Sequence, residues 1–176
     1  MNPRHLIFPA AIGLFMISSG ARAAETAAPA TPPAAPAAPA AALDFGNFSS
    51  EAITSKAWEA LNAKNYTNAK AYAQKCIDMF GTQAVEMQKG LSAAATVKEE
   101  VFKSWALNDV GTCYYILGQS LEAEAKTKEA IVPYKFLAEK LSYAQCWDEK
   151  GWFWKPAESA RERVKALEFD SIDAMK

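Results

Sequence analysis

The chain has 176 residues, 19 basic and 20 acidic side chains, and a formal net charge of −1. Charges of both signs are interspersed, which excludes the basic face that nucleic-acid binding needs and a polybasic membrane patch. Its one histidine, His5, lies in the N-terminal leader, so a processed chain has no imidazole for acid–base catalysis or zinc binding. We expect no catalytic residues, no metal and no cofactor.

Residues 1–23 have the three parts of a secretory signal peptide. Arg4 and His5 form a positive head, an apolar run follows over Leu6–Ile17, and Ala21-Arg22-Ala23 supplies a small-x-small cleavage pattern. The apolar run is too short to span a membrane comfortably. We therefore expect a mature chain that begins at Ala24, has no stable membrane insertion, and is periplasmic or secreted.

Residues 24–43 consist almost entirely of alanine and proline. Prolines recur too often for an α-helix to propagate, and the segment has nothing with which to build a core. It is predicted to be a disordered linker, either a plain export spacer or a tether that holds the domain away from a surface. The folded domain is expected over residues 44–176.

A first pair of helices is predicted directly after the linker. Ser49 or Ser50 can cap the first helix, whose apolar residues recur at helical spacing until about Asn65. The second helix opens at Tyr66 and is predicted to end at Gly81. Because the connection is very short, the two helices must lie antiparallel.

The middle of the chain predicts a second, longer pair of helices. A short helix over Ala84–Lys89, stopped by Gly90, precedes one long helix from about Val97 to Leu117. Gly118 is predicted to supply a left-handed turn, followed by a helix over Leu121–Ile131 whose cap is Ser120. Pro133 then interrupts or kinks the chain before helix resumes over Tyr134–Leu141.

The second pair resembles the tetratricopeptide repeat (TPR), a helical-hairpin repeat. Its pattern is Val110-Gly111-x-x-Tyr114, then Ala123, then Ala130. The first pair carries Ala69 and Cys76 at the matching places, 54 residues earlier, against ~34 for a standard unit. The resemblance implies an all-α fold of antiparallel hairpins of α-solenoid type, in which Gly111 and Ala123 face each other. The repeat-packing positions that it implies are Gly111, Tyr114, Ala123, Ala130, Ala69 and Cys76.

The segment from Trp147 to Pro156 is rich in aromatic residues. One interpretation is that the rings plug the end of the core, and the other is that they form a platform for a glycan of the envelope. Pro156 is suited to be the first residue of a last helix, through about Phe169, which would cap the stack of hairpins. The candidate platform residues are Trp147, Trp152 and Trp154.

Cysteines and carboxylates leave two further questions open. Cys76, Cys113 and Cys146 allow one disulfide and a free thiol, or no disulfide, and inert buried thiols are the favoured interpretation. Paired carboxylates could serve a small glycan hydrolase, although most lie on predicted outer helix faces. They are Glu99-Glu100, Asp109, Glu122-Glu124 and Asp148-Glu149.

The favoured function is an exported scaffold or adaptor that mediates protein–protein interaction in the cell envelope. TPR proteins bind peptides on a concave face lined by the first helix of each hairpin, so the resemblance implies a protein or peptide partner, with self-association as an alternative. The alternative function is a glycan-binding protein or small hydrolase that uses the tryptophan-rich segment. The partner-binding positions implied by the resemblance are Trp58, Asn62, Trp105, Asn108, Thr112 and Tyr115.

Overall fold

The computed structural model describes residues 42–147 and 153–173. Within these ranges the chain forms six helices that pack against their neighbours, joined to one two-stranded ribbon, which confirms an all-α fold. The predicted leader, nearly all of the predicted linker, and Trp152 lie outside the described residues.

The helices are α1 (Ser50–Asn62), α2 (Tyr66–Lys89), α3 (Lys98–Lys103), α4 (Trp105–Ala123), α5 (Thr127–Lys140) and α6 (Pro156–Asp173). Between α5 and α6, two short strands pair antiparallel: β1 (Cys146–Trp147) and β2 (Phe153–Trp154).

The first hairpin, α1 and α2, forms where the capping residues predict it. The Ser49 hydroxyl accepts a hydrogen bond from the Ala52 N–H at 3.2 Å, and the Asn65 side chain accepts one from the Asn68 N–H at 3.1 Å. Both side chains satisfy N–H groups that a helix start leaves unpaired. Between the helices, Lys64 has a left-handed φ of 58° and reverses the chain.

Helix α2 is longer than predicted, because Gly81 does not end it. The helix continues to Lys89 and absorbs the predicted short helix, and Gly90 ends it with its N–H bonded to the Glu86 carbonyl. An interior glycine costs a helix only about 1 kcal/mol. Burial of Ala84 in the core offsets that cost.

The predicted long helix from Val97 is broken at Ser104 into α3 and α4. Asn108 stabilises this break, since its side-chain amide donates to the Val101 carbonyl at 2.7 Å. The Asn108 side-chain oxygen also accepts from the Gln145 N–H at 2.9 Å. A single side chain therefore joins α3, α4 and the segment before β1.

The predicted turn at Gly118 is wrong, and α4 runs through it to Ala123. A β-carbon at Gly118 would lie 2.5 Å from Tyr134 Cε1, so glycine is needed there for close packing. Ser120 is no cap, because its hydroxyl donates to the Ile116 carbonyl at 2.8 Å inside the helix. The reversal occurs at Ala125, which has a left-handed φ of 59°.

Helix α5 continues through Pro133 without interruption, contrary to the prediction. A proline inside a helix removes one backbone hydrogen bond and costs about 3 kcal/mol. Pro133 itself is buried, as are Ala130, Tyr134 and Leu137 on the same helix. Their burial against α4 and α6 outweighs the local cost.

The second hairpin, α4 and α5, repeats the turn of the first at a spacing of 61 residues rather than 54. In the first turn the Lys64 N–H bonds to the Leu61 carbonyl, and in the second the Ala125 N–H bonds to the Glu122 carbonyl. Lys64 and Ala125 both have the left-handed conformation. The predicted spacing is thus seven residues short. Seven residues are nearly two turns, so the shifted pattern keeps the same helix face. In the corrected alignment Ala57 matches Gly118, Ala69 matches Ala130, and Cys76 matches Leu137.

The predicted contact between Gly111 and Ala123 is not formed. Both residues belong to α4, and Ala123 is exposed at its end. Gly111 is buried instead where a β-carbon would lie 2.5 Å from Ala144 Cβ and 3.4 Å from Leu137. Of the other predicted packing positions, Ala69, Cys76 and Ala130 are fully buried, and the half-buried Tyr114 ring stacks on Phe136 at 4.5 Å.

The hairpins pack through α2 and α4, α1 also contacts α4, and α6 covers α5 and part of α4. Glu122 joins the last three helices: it accepts from Tyr134 Oη at 3.2 Å and forms an ion pair with Arg163. Within the described ranges, no helix combines the length and apolarity needed to cross a membrane.

Candidate functional site

An open cleft lies where α1 and α4 begin. It consists of two adjoining hollows of about 560 and 440 Å³ that share Glu51, Trp105 and Asp109 as walls. We call it the acidic–aromatic cleft. Its remaining lining residues are Asn47, Phe48, Ser49, Ser50, Phe80, Phe102, Asn108, Gln145 and Cys146.

Aromatic rings of the cleft remain substantially open to solvent. Trp105, the first residue of α4, is 40% exposed, and Phe102 on α3 is 50% exposed. Phe80 holds Trp105 by an edge-to-face contact at 5.7 Å between ring centres. The break at Ser104 places these two rings on separate helices. The cleft therefore offers apolar surface that the domain's own core does not cover.

Two carboxylates accompany these rings. Asp109 accepts a hydrogen bond from the buried Ser50 hydroxyl, which fixes the start of α1 to α4. The pKa of Asp109 is raised to about 6, chiefly because the carboxyl is buried; the Ser50 hydrogen bond opposes this rise, and the negative charge of Glu51 adds a smaller one. Within the described ranges, the ion pairs include neither Glu51 nor Asp109.

The inner wall of the cleft is structural. Asn108 and Thr112, both predicted partner-binding residues, are 8% and 2% exposed, and the Thr112 hydroxyl donates to the Asn108 carbonyl at 2.8 Å. Thr112 also contacts the Cys146 sulfur at 2.8 Å. Burial raises the pKa of Cys146 to about 11, so it is a thiol at neutral pH. These residues hold the site together and have little surface of their own to offer a ligand.

A second aromatic group lies further along the same helices. The Trp154 ring contacts Tyr115 at 4.9 Å and Trp58 at 5.9 Å, and its indole N–H donates to the Ser159 hydroxyl at 3.0 Å. We call Trp58, Tyr115 and Trp154 the aromatic seam. It borders a shallow hollow of about 610 Å³ that Asn62 and Gln119 also line. Through these ring contacts, β2 packs against α1 and α4.

Five of the six predicted partner-binding residues thus fall into two groups. Trp105 and Asn108 line the acidic–aromatic cleft, whereas Trp58, Asn62 and Tyr115 border the hollow at the seam. Thr112 is buried beneath Cys146. Of the predicted glycan platform, the structure describes the side chain of Trp154, which packs in the seam, whereas Trp152 and the Trp147 side chain lie outside the described parts of the chain. Trp147 itself takes part in β1.

Three of the six other predicted carboxylates, Glu100, Glu122 and Glu124, have ordinary ion-pair partners. Glu124 pairs with Lys70 at 2.6 Å and with Lys126 at 2.8 Å, and Glu100 pairs with Lys103 at 2.6 Å. Asp148 and Glu149 lie outside the described ranges. In the part of the chain that the structure describes, no three His, Cys, Asp or Glu side chains are grouped to hold a metal ion.

The cysteines are free thiols. Cys76 and Cys113 are fully buried on either side of the Thr54 hydroxyl, at 3.6 and 3.3 Å from it. Burial raises the pKa of Cys113 well above its usual value. Neither thiol reaches a surface where it could act as a nucleophile.

Sequence reasoning missed most of the cleft. Asp109 is among the carboxylates considered for a hydrolase, and its place in the cleft could have been predicted, because it follows the predicted groove residue Trp105 by four positions and shares its helix face. Glu51, Phe80 and Phe102 belong to three other helices, and their convergence depends on tertiary packing that no local pattern encodes.

Comparisons with protein-family models, with curated proteins and with solved structures find no match to this chain. The resemblance to the tetratricopeptide repeat therefore rests on the sequence pattern. The observations establish an all-helical domain with an open cleft.

Proposed function

We propose that this protein is an exported adaptor of TPR-like architecture, whose acidic–aromatic cleft binds a segment of a partner protein in the cell envelope. The observation that carries the proposal is the cleft itself. Large rings stay exposed beside two carboxylates that lack ion-pair partners among the described residues. An exposed apolar patch with a polar rim is typical of a protein-interaction site.

The corrected alignment strengthens the likeness to the repeat. Leu117-Gly118-x-x-Leu121 followed by Ala130-x-x-x-Tyr134 is similar to the L-G-x-x-Y and A-x-x-x-F elements of the TPR pattern, with Leu121 in place of tyrosine and Tyr134 in place of phenylalanine. Gly118 serves the purpose that the pattern requires, because α4 and α5 meet there. Helix α6 packs against α5 and α4, and in the proposed architecture it is the cap of a short solenoid.

Location in the envelope rests on the leader at residues 1–23. The intact mass of protein recovered from an envelope fraction tests it, and we expect a chain that begins at Ala24. Recovery from the cytoplasm with residues 1–23 retained would contradict export.

The alternative of glycan binding has weaker support. Trp154 already packs against Trp58 and Tyr115, which leaves it less surface for stacking on a sugar. Sedimentation with purified wall polymer, for the full chain and a Trp152→Ala variant, tests this alternative directly. Retention that depends on Trp152 would favour it over the adaptor.

A photo-crosslinking experiment tests the adaptor proposal in cells. Phe102 is replaced by the photoreactive p-benzoyl-phenylalanine, which keeps an aromatic ring in the cleft. The matched control carries the same group at Val132 on α5, which is 68% exposed and lies outside the cleft. We expect a discrete adduct from position 102 that is absent from position 132. Equal adducts at both positions, or none at 102, would contradict the proposal.

A further inference from the structure

We propose that the acidic–aromatic cleft recognises an arginine side chain of the partner, with the guanidinium held between the Glu51 and Asp109 carboxylates and stacked on Trp105. This inference rests on the proposed adaptor function and names the chemistry of its ligand.

The charge of the cleft favours a cation. Glu51 and Asp109 line both hollows of the cleft, and the ion pairs of the described chain include neither of them. By contrast, Glu122 and Glu124 at the end of α4 have arginine and lysine partners. Two carboxylates without ion-pair partners among the described residues attract positive charge to the cavity beside them and repel an acidic ligand.

The aromatic rings favour the same ligand. Phe102 already attracts a cation, since the Lys98 Nζ lies 5.4 Å from the ring centre. Trp105 has the ring type that binds cations best, is 40% exposed, and is held in place by Phe80. Since Trp105 and Asp109 are four residues apart on one helix, an aromatic face and a carboxylate are presented together.

Arginine fits this combination better than lysine. Its guanidinium is planar, donates up to five hydrogen bonds in a fixed fork, and stacks on aromatic rings while it binds carboxylates. A lysine ammonium is a compact, strongly hydrated charge that gains less from a flat ring. Both hollows are large enough to admit such a side chain with part of its backbone.

The chain's own arginines point to a ligand from a partner. Its four arginines are Arg4 and Arg22 in the predicted leader and Arg161 and Arg163 on α6. Arg163 pairs with Glu122, and Arg161 donates to the Ala138 carbonyl at 3.0 Å. After cleavage at residue 23, no arginine remains that could fill the cleft without breaking a contact of α6.

An NMR titration of the full mature chain tests the inference. The probe is the capped pentapeptide Gly-Gly-Arg-Gly-Gly, and the signal is the Trp105 indole N–H, assigned from its loss in Trp105→Ala. The control peptide contains citrulline, which has nearly the same shape as arginine and no charge. We expect the arginine peptide to shift the Trp105 signal and to bind about tenfold more tightly than the citrulline peptide.

Variants locate the interaction. Glu51→Gln and Asp109→Asn are expected to weaken arginine-peptide binding by about fivefold to tenfold each. Glu59→Gln, an equal charge change at an exposed position of the same helix, is expected to leave it unchanged. Circular dichroism of each variant confirms that it is folded.

Three results would overturn the inference: equal binding of the arginine and citrulline peptides, equal binding of a lysine peptide, or unchanged binding in Glu51→Gln and Asp109→Asn. A dimer that dissociates in Trp105→Ala would also overturn it, since a second copy would then occupy the cleft. If any of these results occurs while the crosslink at position 102 persists, the adaptor function stands and its arginine specificity is wrong.

Discussion

Two groups of aromatic residues, each with one member on α4, have opposite properties. In the aromatic seam, Trp154 reaches from β2 to contact Trp58 and Tyr115, so the rings cover one another. In the acidic–aromatic cleft, Trp105 and Phe102 are about half exposed and stand beside Glu51 and Asp109. A tryptophan-rich sequence therefore does not by itself mark a binding surface. What distinguishes the cleft is apolar surface left uncovered next to unpaired charge.

The largest expected loss of stability comes from a substitution that disrupts the aromatic seam. Trp154→Ala removes contacts to two rings and the hydrogen bond to Ser159, and we expect a loss of about 2–3 kcal/mol in unfolding free energy, below the range for a fully buried tryptophan. Urea denaturation measures it. Phe169→Ala, at an exposed ring on α6, is the control and should change stability by less than about 0.5 kcal/mol. Equal losses would mean that the seam is not part of the core.

A second prediction concerns the placement of α4, on which both aromatic groups depend. Gly118→Ala forces a β-carbon into the Tyr134 ring, and overpacking of this kind costs about 1–3 kcal/mol. Gly81→Ala is the matched control, because its added carbon would lie 3.9 Å from Ile77. Since alanine favours helix over glycine, we expect that control to gain about 0.5–1 kcal/mol. A stabilised Gly118→Ala would contradict the packing described for α4 and α5.

We expect the buried Asp109 carboxylate of the cleft to lower the free energy of unfolding by an amount that depends on pH. Asp109 has a pKa of about 6 in the folded chain, raised by burial above its usual 3.8. The folded state therefore binds this proton more tightly than the unfolded state, so stability rises as pH falls through 6 and the gain is complete below about 4. Asp109→Asn mimics the protonated form and should be more stable by on the order of 1–2 kcal/mol at pH 7.

The comparison of wild type with Asp109→Asn isolates this group from the other acids. Their difference in unfolding free energy should shrink as pH falls from 7 to 4. A difference that is constant over this range would mean that Asp109 has an ordinary pKa and an open, solvated position.

The smallest expected change in stability is at Trp105. Trp105→Ala removes a ring that is 40% exposed, so the loss in unfolding free energy should be about 1 kcal/mol or less, well below that of Trp154→Ala. We expect Trp105→Ala to weaken partner binding strongly while it changes stability little. If Trp105→Ala is as damaging to the fold as Trp154→Ala, the proposed division between a structural seam and an open cleft is wrong.

Local signals in the sequence predicted the parts of the fold that local chemistry decides. The cap at Ser49 and the start of α2 at Tyr66 appear in the structure as predicted, and Gly90 ends a helix as predicted, although that helix is α2 itself and not a separate short one. Gly118 was misread because glycine serves both turns and close helix contacts, and sequence alone does not separate the two uses. The true turn at Ala125 has a β-carbon and carries none of the usual turn residues.

The seven-residue error in the repeat spacing has the same origin. A shift of two helical turns preserves the pattern of small and apolar positions, so Gly111 and Gly118 were nearly equivalent by periodicity. The two glycines have different neighbours: Gly111 faces Ala144 and Leu137, whereas Gly118 faces the Tyr134 ring. The cleft was harder still to predict, because Glu51, Phe80 and Phe102 come from separate helices. Among its exposed residues, Trp105 was the one predicted from the resemblance.

The most direct test of the account compares photo-crosslinking at the two places in one set of cells. The photoreactive group is introduced at Phe102 in the acidic–aromatic cleft and, separately, at Gln119 beside the aromatic seam. We expect a discrete partner adduct from position 102 and none from position 119. An adduct from position 119 with none from position 102 would contradict the central claim and move the binding surface to the seam.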